Sequence, residues 1–218
     1  MLHPLLRFAA RRPLQAHNRR DKWHVPKWAS GDQAQLKAHA VAINASLVEC
    51  QTADCVLRYA DHMHDAGDAV NAATAMHRLA KVRSTLVDRG DARLAKLAAF
   101  ATECAPRLSS QGLANVAWAA AKVGGAAAPR GLFDAVALEA PKKIERFNAQ
   151  ALANIIWSFA RAEVEAPTLF EAAAAEACNK MPSFGSQALA NTVWAYATAG
   201  FEAPALFEAV AFEVAFGV

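Results

Sequence analysis

Three tryptophans of this chain lie in nearly the same local sequence. Each follows a glutamine by seven positions and an asparagine by three, in lines that begin at Gln111, Gln150 and Gln187. The lines read Q-G-L-A-N-V-A-W, Q-A-L-A-N-I-I-W and Q-A-L-A-N-T-V-W. Amide side chains donate and accept hydrogen bonds, and an indole offers a flat face for stacking. The chemistry that these residues suggest is therefore hydrogen bonding and stacking.

The spacing places these side chains on one face of a helix, since residues three and four apart are neighbours on a helix surface. We call this face the polar stripe and the four stripe residues of one helix a tier. On the first helix, apolar residues such as Leu113 and Val116 fall on the opposite side and should form core. The predicted tiers are Gln111, Asn115, Trp118 and Lys122; Gln150, Asn154, Trp157 and Arg161; and Gln187, Asn191, Trp194 and Thr198.

The lines belong to a longer repeat. The three tryptophans are 39 and 37 residues apart, and each is followed by a proline and then by Leu-Phe. Two apolar helical segments in a period of about 38 residues predict stacked helix pairs. The predicted fold class is all-α, a right-handed α-solenoid of helix-pair repeats. Helix A carries the tier, with Ser109, Asn148 or Ser186 as its N-cap. Helix B begins at Pro129, Pro167 or Pro204, since proline is tolerated in a first helical turn.

The rest of the chain is interpreted from the same pattern. Residues 29–110 are predicted to hold degenerate helical repeats, with pairs at 40–65 and 71–105, and residues 111–218 to hold the three clear repeats. The last helix ends with Phe212, Val214 and Phe216, whereas an end repeat should present a polar face to water. Either further repeats of a longer parent chain or a protein partner is expected to cover this end.

Charge is distributed unevenly along the chain. Residues 1–28 carry seven basic residues and one acidic residue, a net of +6, which leaves −3 for residues 29–218. The Arg-rich start without an acid before Asp21 is typical of an organellar transit peptide, and its lack of serine favours a mitochondrion over a chloroplast. The alternative is a basic tail that is never cleaved. Residues 29–218 are therefore not expected to recognise a partner by bulk positive charge.

Motifs for other functions are weak. The cluster D-H-M-H-D at 61–65 is disfavoured as a metal site, because His62 and His64 point nearly opposite ways on a helix. No phosphate-binding or catalytic signature is found, so no enzyme activity, cofactor or small-molecule substrate is expected. The uncharged stretch 181–201 is interpreted as a loop that enters a helix, not as a membrane span. Cysteines at 50, 55, 104 and 178 are expected to be reduced thiols.

Two interpretations of the polar stripe are open. In the first, the amides hydrogen bond to base edges, the indoles stack on bases and Lys122 or Arg161 reaches phosphate, as in modular readers of single-stranded RNA. In the second, the tryptophans pack between repeats and each asparagine binds a neighbouring backbone carbonyl, so that the stripe stabilises the stack. Packing is the commoner role of tryptophan, and the asparagines favour neither interpretation.

The three lines, each followed by P-x(1,2)-L-F, resemble octotricopeptide-type repeats of organellar RNA-binding proteins. Similar L-A-N-x-x-W-A units occur in FAST-kinase-like proteins with a RAP domain and in kinetoplastid RNA-editing substrate-binding subunits. The resemblance covers about residues 40–218 and implies an all-α solenoid in a mitochondrion or chloroplast. It implies an adaptor that binds single-stranded RNA, either mRNA or rRNA, in RNA processing, stability, editing or translation. The alternative is a structural or assembly protein of an organellar ribosome or other large complex that binds mainly protein.

Overall fold

A computed structural model describes residues 33–60, 63, 67–82 and 91–216 of the chain. Residues 1–28, which carry the predicted transit peptide, lie outside the described residues, and so do Asp61, His62, His64 and Asp65. The described α-helices are α1 (Gln33–Glu49), α2 (Ala53–Ala60), α3 (Ala69–Lys81), α4 (Ala92–Cys104), α5 (Ser110–Gly124), α6 (Arg130–Glu139), α7 (Ala149–Ala162), α8 (Pro167–Asn179), α9 (Ser186–Ala199) and α10 (Pro204–Phe216).

The described helices form an all-α solenoid of two layers. Layer A contains α1, α3, α5, α7 and α9, each packed on the next, and layer B contains the even-numbered helices. Because each helix of layer B carries the chain back, the helices of layer A run in the same direction. Short 3-10 turns such as Met181–Ser183 lead from layer B to layer A. The predicted fold class is confirmed, and the hand of the solenoid stays a prediction.

The helix starts follow the predicted chemistry at most positions. The Ser109 and Asn148 side chains accept from the backbone N–H groups of Gly112 and Ala151, so both are N-caps. The prediction for Ser186 is wrong, because it is the first helical residue and Gly185 precedes the helix without a side-chain cap. Pro167 and Pro204 begin α8 and α10. Pro129 stands one position before α6.

The core lies between the two layers. Leu113, Val116 and Leu152 are buried, as are the larger rings of Phe133 and Phe159, which meet edge to face with centroids 4.9 Å apart. The apolar positions of the helix A pattern therefore face layer B, which leaves the polar stripe on the other side of layer A. In the described part of the chain, no helix is both long and apolar enough to cross a bilayer.

One sequence expectation on the cysteines is wrong. Cys50 and Cys55 form a disulfide, because the short connection between α1 and α2 brings their Cα atoms to 5.6 Å. Cys104 and Cys178 are free thiols, as expected, and Cys104 is buried.

Candidate nucleic-acid interface

The polar stripe is accessible in all three tiers. The first residue of each tier, Gln111, Gln150 or Gln187, is exposed. The asparagines are partly buried, and the fourth residues Lys122, Arg161 and Thr198 are exposed. The glutamines, the asparagines and the fourth residues therefore each keep one level of exposure in the three tiers. The stacking of α5, α7 and α9 places the tiers side by side.

The tryptophans combine packing with exposure. Trp118 and Trp157 are partly buried, while Trp194 is 42% exposed. The Trp157 and Trp194 rings lie 6.2 Å apart between centroids at an angle of 37°. Trp118 faces His77 of α3 at 5.5 Å. The rings thus contact neighbouring tiers, as the packing interpretation predicted, and they still contribute accessible indole surface to the stripe.

The asparagines do not bind backbone carbonyls of the neighbouring repeat. Asn115 accepts a hydrogen bond from Gln111 Nε2 at 2.9 Å within its own helix. Among the described residues, the side chains of Asn154 and Asn191 have no hydrogen-bond partner. That part of the packing interpretation is therefore wrong for these three positions. A contact of this kind occurs one repeat earlier, where the buried Asn71 Nδ2 donates to Ala40 O at 2.8 Å.

A groove of about 290 Å³ runs between α7 and α9. Four amide side chains line it, together with small residues such as Ala153, Gly185 and Ala188. Because these amides make no hydrogen bonds among the described residues, their donors and acceptors are available to a bound molecule. The four amides are those of Gln150, Asn154, Gln187 and Asn191.

The stripe residues at the carboxyl ends of the helices are cationic in two tiers. Lys122 Nζ lies 4.7 Å above the Trp118 ring, which is a cation–π contact. The Arg161 guanidinium lies beside Gly125 of the previous repeat, 3.7 Å from the position that a Cβ would take there. Both contacts hold a cation near a helix carboxyl end, where the helix dipole favours positive charge.

The two layers carry opposite charge, which the net charge of the chain conceals. The helices α3, α5, α7 and α9 contain four basic residues and no acidic residue. The helices α4, α6, α8 and α10 contain three basic and seven acidic residues. Among these eight helices, the basic excess therefore lies in layer A and the acidic excess in layer B. The basic residues of α3, α5, α7 and α9 are Arg78, Lys81, Lys122 and Arg161.

Lysines that the sequence reasoning missed join adjacent repeats. The two lysines are 37 positions apart and follow a helix of layer B, one in the 3-10 turn Pro141–Arg146 and the other directly after Asn179. Each ammonium group donates to two backbone carbonyls of the preceding repeat at 2.7 to 2.8 Å. These interrepeat lysines make the carbonyl contacts that the packing interpretation assigned to asparagine. Lys143 donates to Pro106 and Leu108, and Lys180 donates to Glu145 and Phe147.

Polar residues at and near α3 make contacts that the sequence did not predict. Asp68 is the N-cap of α3 in a capping box with Asn71. Within the described ranges, no three His, Cys, Asp or Glu side chains come close enough to bind one metal ion. His77 lies against Trp118, and its pKa is lowered by burial and further by the positive charges of Lys81, Arg78 and Lys122.

No family model matches the chain, but the chain is similar to a known protein of a plant. The chain is 34% identical over 150 aligned positions to a RAP domain-containing protein, chloroplastic, of Oryza sativa subsp. japonica. The alignment covers 61% of this chain and 23% of that protein. The chain thus spans about a quarter of the length of this relative. The similarity agrees with the predicted resemblance to RAP-domain-containing relatives, and the octotricopeptide type stays a prediction.

Proposed function

We propose that this chain is an organellar RNA-binding adaptor whose polar stripe binds single-stranded RNA. The observation that carries the proposal is the arrangement of α5, α7 and α9, where accessible amides and indole faces recur from helix to helix. Both α5 and α7 add a cation, and none of the three helices carries an acidic residue. Proteins that bind single strands combine stacking rings with positively charged tracks along the backbone.

Each element of a tier suits one part of a nucleotide. The four amides of the groove between α7 and α9 can pair with base edges, since an amide donates and accepts at once. Trp157 and Trp194 offer faces next to that groove on which bases can stack. Lys122 and Arg161 lie at the other end of their tiers and suit phosphate oxygens.

The similarity to a chloroplastic protein supports an organellar location. That protein is called chloroplastic, whereas the amino-terminal composition of this chain favours a mitochondrion. We propose an organelle as the site of action and RNA processing, stability, editing or translation as the process. In this proposal the chain acts by binding and has no catalytic function of its own.

RNA binding is tested with the purified chain and a labelled single-stranded oligonucleotide, by fluorescence anisotropy at several salt concentrations. Replacing Lys122 and Arg161 together by alanine should weaken binding and reduce the slope of log K against log salt by about 1.4, since each phosphate contact on a single strand contributes about 0.7. A matched control replaces Arg130 and Lys142 of the other side of the solenoid by alanine and should leave the slope unchanged. A parent protein with no affinity for RNA, or a control that loses as much, refutes the proposal.

Base recognition is tested separately from charge. The triple variant N115A/N154A/N191A keeps all cations and should bind RNA more weakly while it retains its thermal unfolding midpoint. If the triple variant binds as tightly as the parent, the amides do not contact RNA.

One observation favours the alternative of a structural or assembly protein. The helix α10 exposes Phe212, Val214 and Phe216 by 65%, 70% and 70%, and such apolar patches mark protein interfaces. In this alternative the chain binds mainly protein in an organellar ribosome or another large complex. Co-sedimentation with such a particle after nuclease treatment, together with no RNA affinity of the free chain, would establish the alternative.

A further inference from the structure

The helix α3 has the same layout as the tier-bearing helices, although its sequence lacks their motif. Its N-cap Asp68 stands 41 positions before Ser109, the N-cap of α5. Thr74 likewise stands 41 positions before Asn115. The last two stripe positions of α3 also stand 41 positions before the last two of α5. The residues of α3 at the four stripe positions are Val70, Thr74, His77 and Lys81.

The exposure of these four side chains confirms that they are structurally equivalent to the first tier of α5. Val70 is exposed, Thr74 and His77 are partly buried, and Lys81 is exposed. The same order holds for the first tier of α5. The helices α3 and α5 also pack against each other, as α5 and α7 do. The stripe therefore continues on α3 without a change of face.

Ring and charge contacts join the α3 positions to the stripe. The His77 imidazole lies 5.5 Å from the Trp118 ring at an angle of 47°, so it occupies the place that a tryptophan holds in the other tiers. The pKa of His77 is lowered by its burial first, and then by the cations of α3 and by Lys122 of α5. Lys81 and Lys122 thus both lie close enough to influence the same imidazole.

We propose that α3 supplies a further tier of the RNA-binding surface, with His77 stacking on a base beside Trp118 and Lys81 contacting phosphate. This inference rests on the proposed function. It makes Lys81, Lys122 and Arg161 one column of cations across three adjacent helices. It also lengthens the predicted footprint by the nucleotides of one repeat.

The observations favour RNA over an acidic protein as the occupant. On α5 a cation stands over the Trp118 ring, and on α3 Lys81 follows His77 by four positions, which makes them neighbours on the helix surface. The pairing of aromatic faces with phosphate-binding cations suits nucleotides. An acidic peptide would use the cations but has no need of the ring pairs His77–Trp118 and Trp157–Trp194.

The experiment measures anisotropy of labelled oligouridylates of increasing length with the full chain and three variants. Lys81→Ala should reduce the salt slope by about 0.7. His77→Ala should weaken binding roughly fivefold or more, the low end for loss of one stacked base. His77→Phe keeps a flat ring and should restore most of the affinity. Arg130→Ala removes one exposed cation of layer B and should bind as the parent does.

The outcomes separate this inference from the proposed function. If the Lys122 and Arg161 variant loses RNA while the α3 variants bind like the parent, the α3 tier is refuted and the proposed function stands. If the parent binds no RNA, both fail. Equal affinity of the parent for polyglutamate of matched charge would assign the surface to acidic proteins and overturn the inference. Thermal unfolding followed by circular dichroism confirms that each variant is folded.

Discussion

The interrepeat lysines should stabilise the solenoid, and Lys180→Met tests this role. Lys180 Nζ donates to Glu145 O and Phe147 O, both at 2.7 Å, and forms an ion pair with Glu176 at 2.6 Å. Methionine keeps an apolar stem of similar length but has no ammonium group. The substitution therefore removes the contacts between repeats with little change in packing volume.

The magnitude follows from the kind of bond that is lost. A hydrogen bond from a charged donor contributes about 1.5 to 3 kcal/mol when it is shielded from water. The Lys180 side chain is 28% exposed, so water can replace part of each interaction. We expect a loss of about 2 kcal/mol in the free energy of unfolding for the two bonds together. The ion pair with Glu176 adds at most about 1 kcal/mol, as is usual near a surface.

Urea unfolding followed by circular dichroism and by tryptophan fluorescence measures the loss. Lys143→Met removes the same pair of carbonyl contacts one repeat earlier and should cost a similar amount, without the contribution of Glu176. Lys37→Met replaces an exposed lysine of α1 and should change stability by less than about 0.5 kcal/mol. Equal effects of Lys180→Met and Lys37→Met would refute the reasoning.

Three further substitutions have expected outcomes. Tyr196→Phe removes the buried 2.7 Å hydrogen bond to the backbone of α8 and should cost about 1 to 2 kcal/mol in urea unfolding, since a buried carbonyl loses its partner. Asn71→Ala removes a buried bond to α1 and one half of a capping box, and its unfolding midpoint should fall further than that of Thr74→Ala. Arg93 lowers the pKa of the Asp54 and Asp91 carboxyl groups below their usual value of 3.8. The contribution of these two carboxylates to the stability of the fold is therefore fully present above pH 3.8, and it is lost as the pH falls through the lowered pKa. Arg93→Met should be less stable at neutral pH and lose less stability than the parent on acidification, as acid titration followed by circular dichroism would show.

The sequence predicted the layers because helix phase is a local property. The spacing of Leu113, Val116 and their equivalents determines which side of each helix is apolar, and a proline or a capping residue marks most helix starts. Ser186 failed as a cap because Gly185 before it already has the extended backbone of an N-cap position. The stripe was predictable for the same reason, since it occupies the side that the apolar residues leave.

The contacts between repeats were not predictable to the same degree. Lys143 and Lys180 share the repeat interval, which was a visible signal, but their acceptors are backbone carbonyls that no residue type reveals. The asparagines illustrate the converse. Their recurrence left a backbone contact and an RNA contact equally open, whereas the structure shows a bond within α5 for Asn115 and available amides in α7 and α9.

The tier on α3 escaped the sequence analysis for a related reason. Histidine stands at its tryptophan position and valine at its glutamine position, so no motif survives. The signal that identifies it is the distance from the N-cap, which becomes visible only when the start of the helix is known. The disulfide between Cys50 and Cys55 likewise depends on the bend between two helices and not on spacing alone.

The opposite charges of the helices in the two layers affect how fast, and in which orientation, a polyanion associates with the solenoid. With four basic residues and no acid on the described helices α3, α5, α7 and α9, and an excess of acids on α4, α6, α8 and α10, the solenoid has an electric dipole across its thickness. A polyanion that approaches through solution is repelled by one side and attracted by the other, so the molecule rotates toward its productive orientation before contact. Association should therefore be fast at low ionic strength and slow as salt is added, while a chain with the same net charge spread evenly would show neither effect.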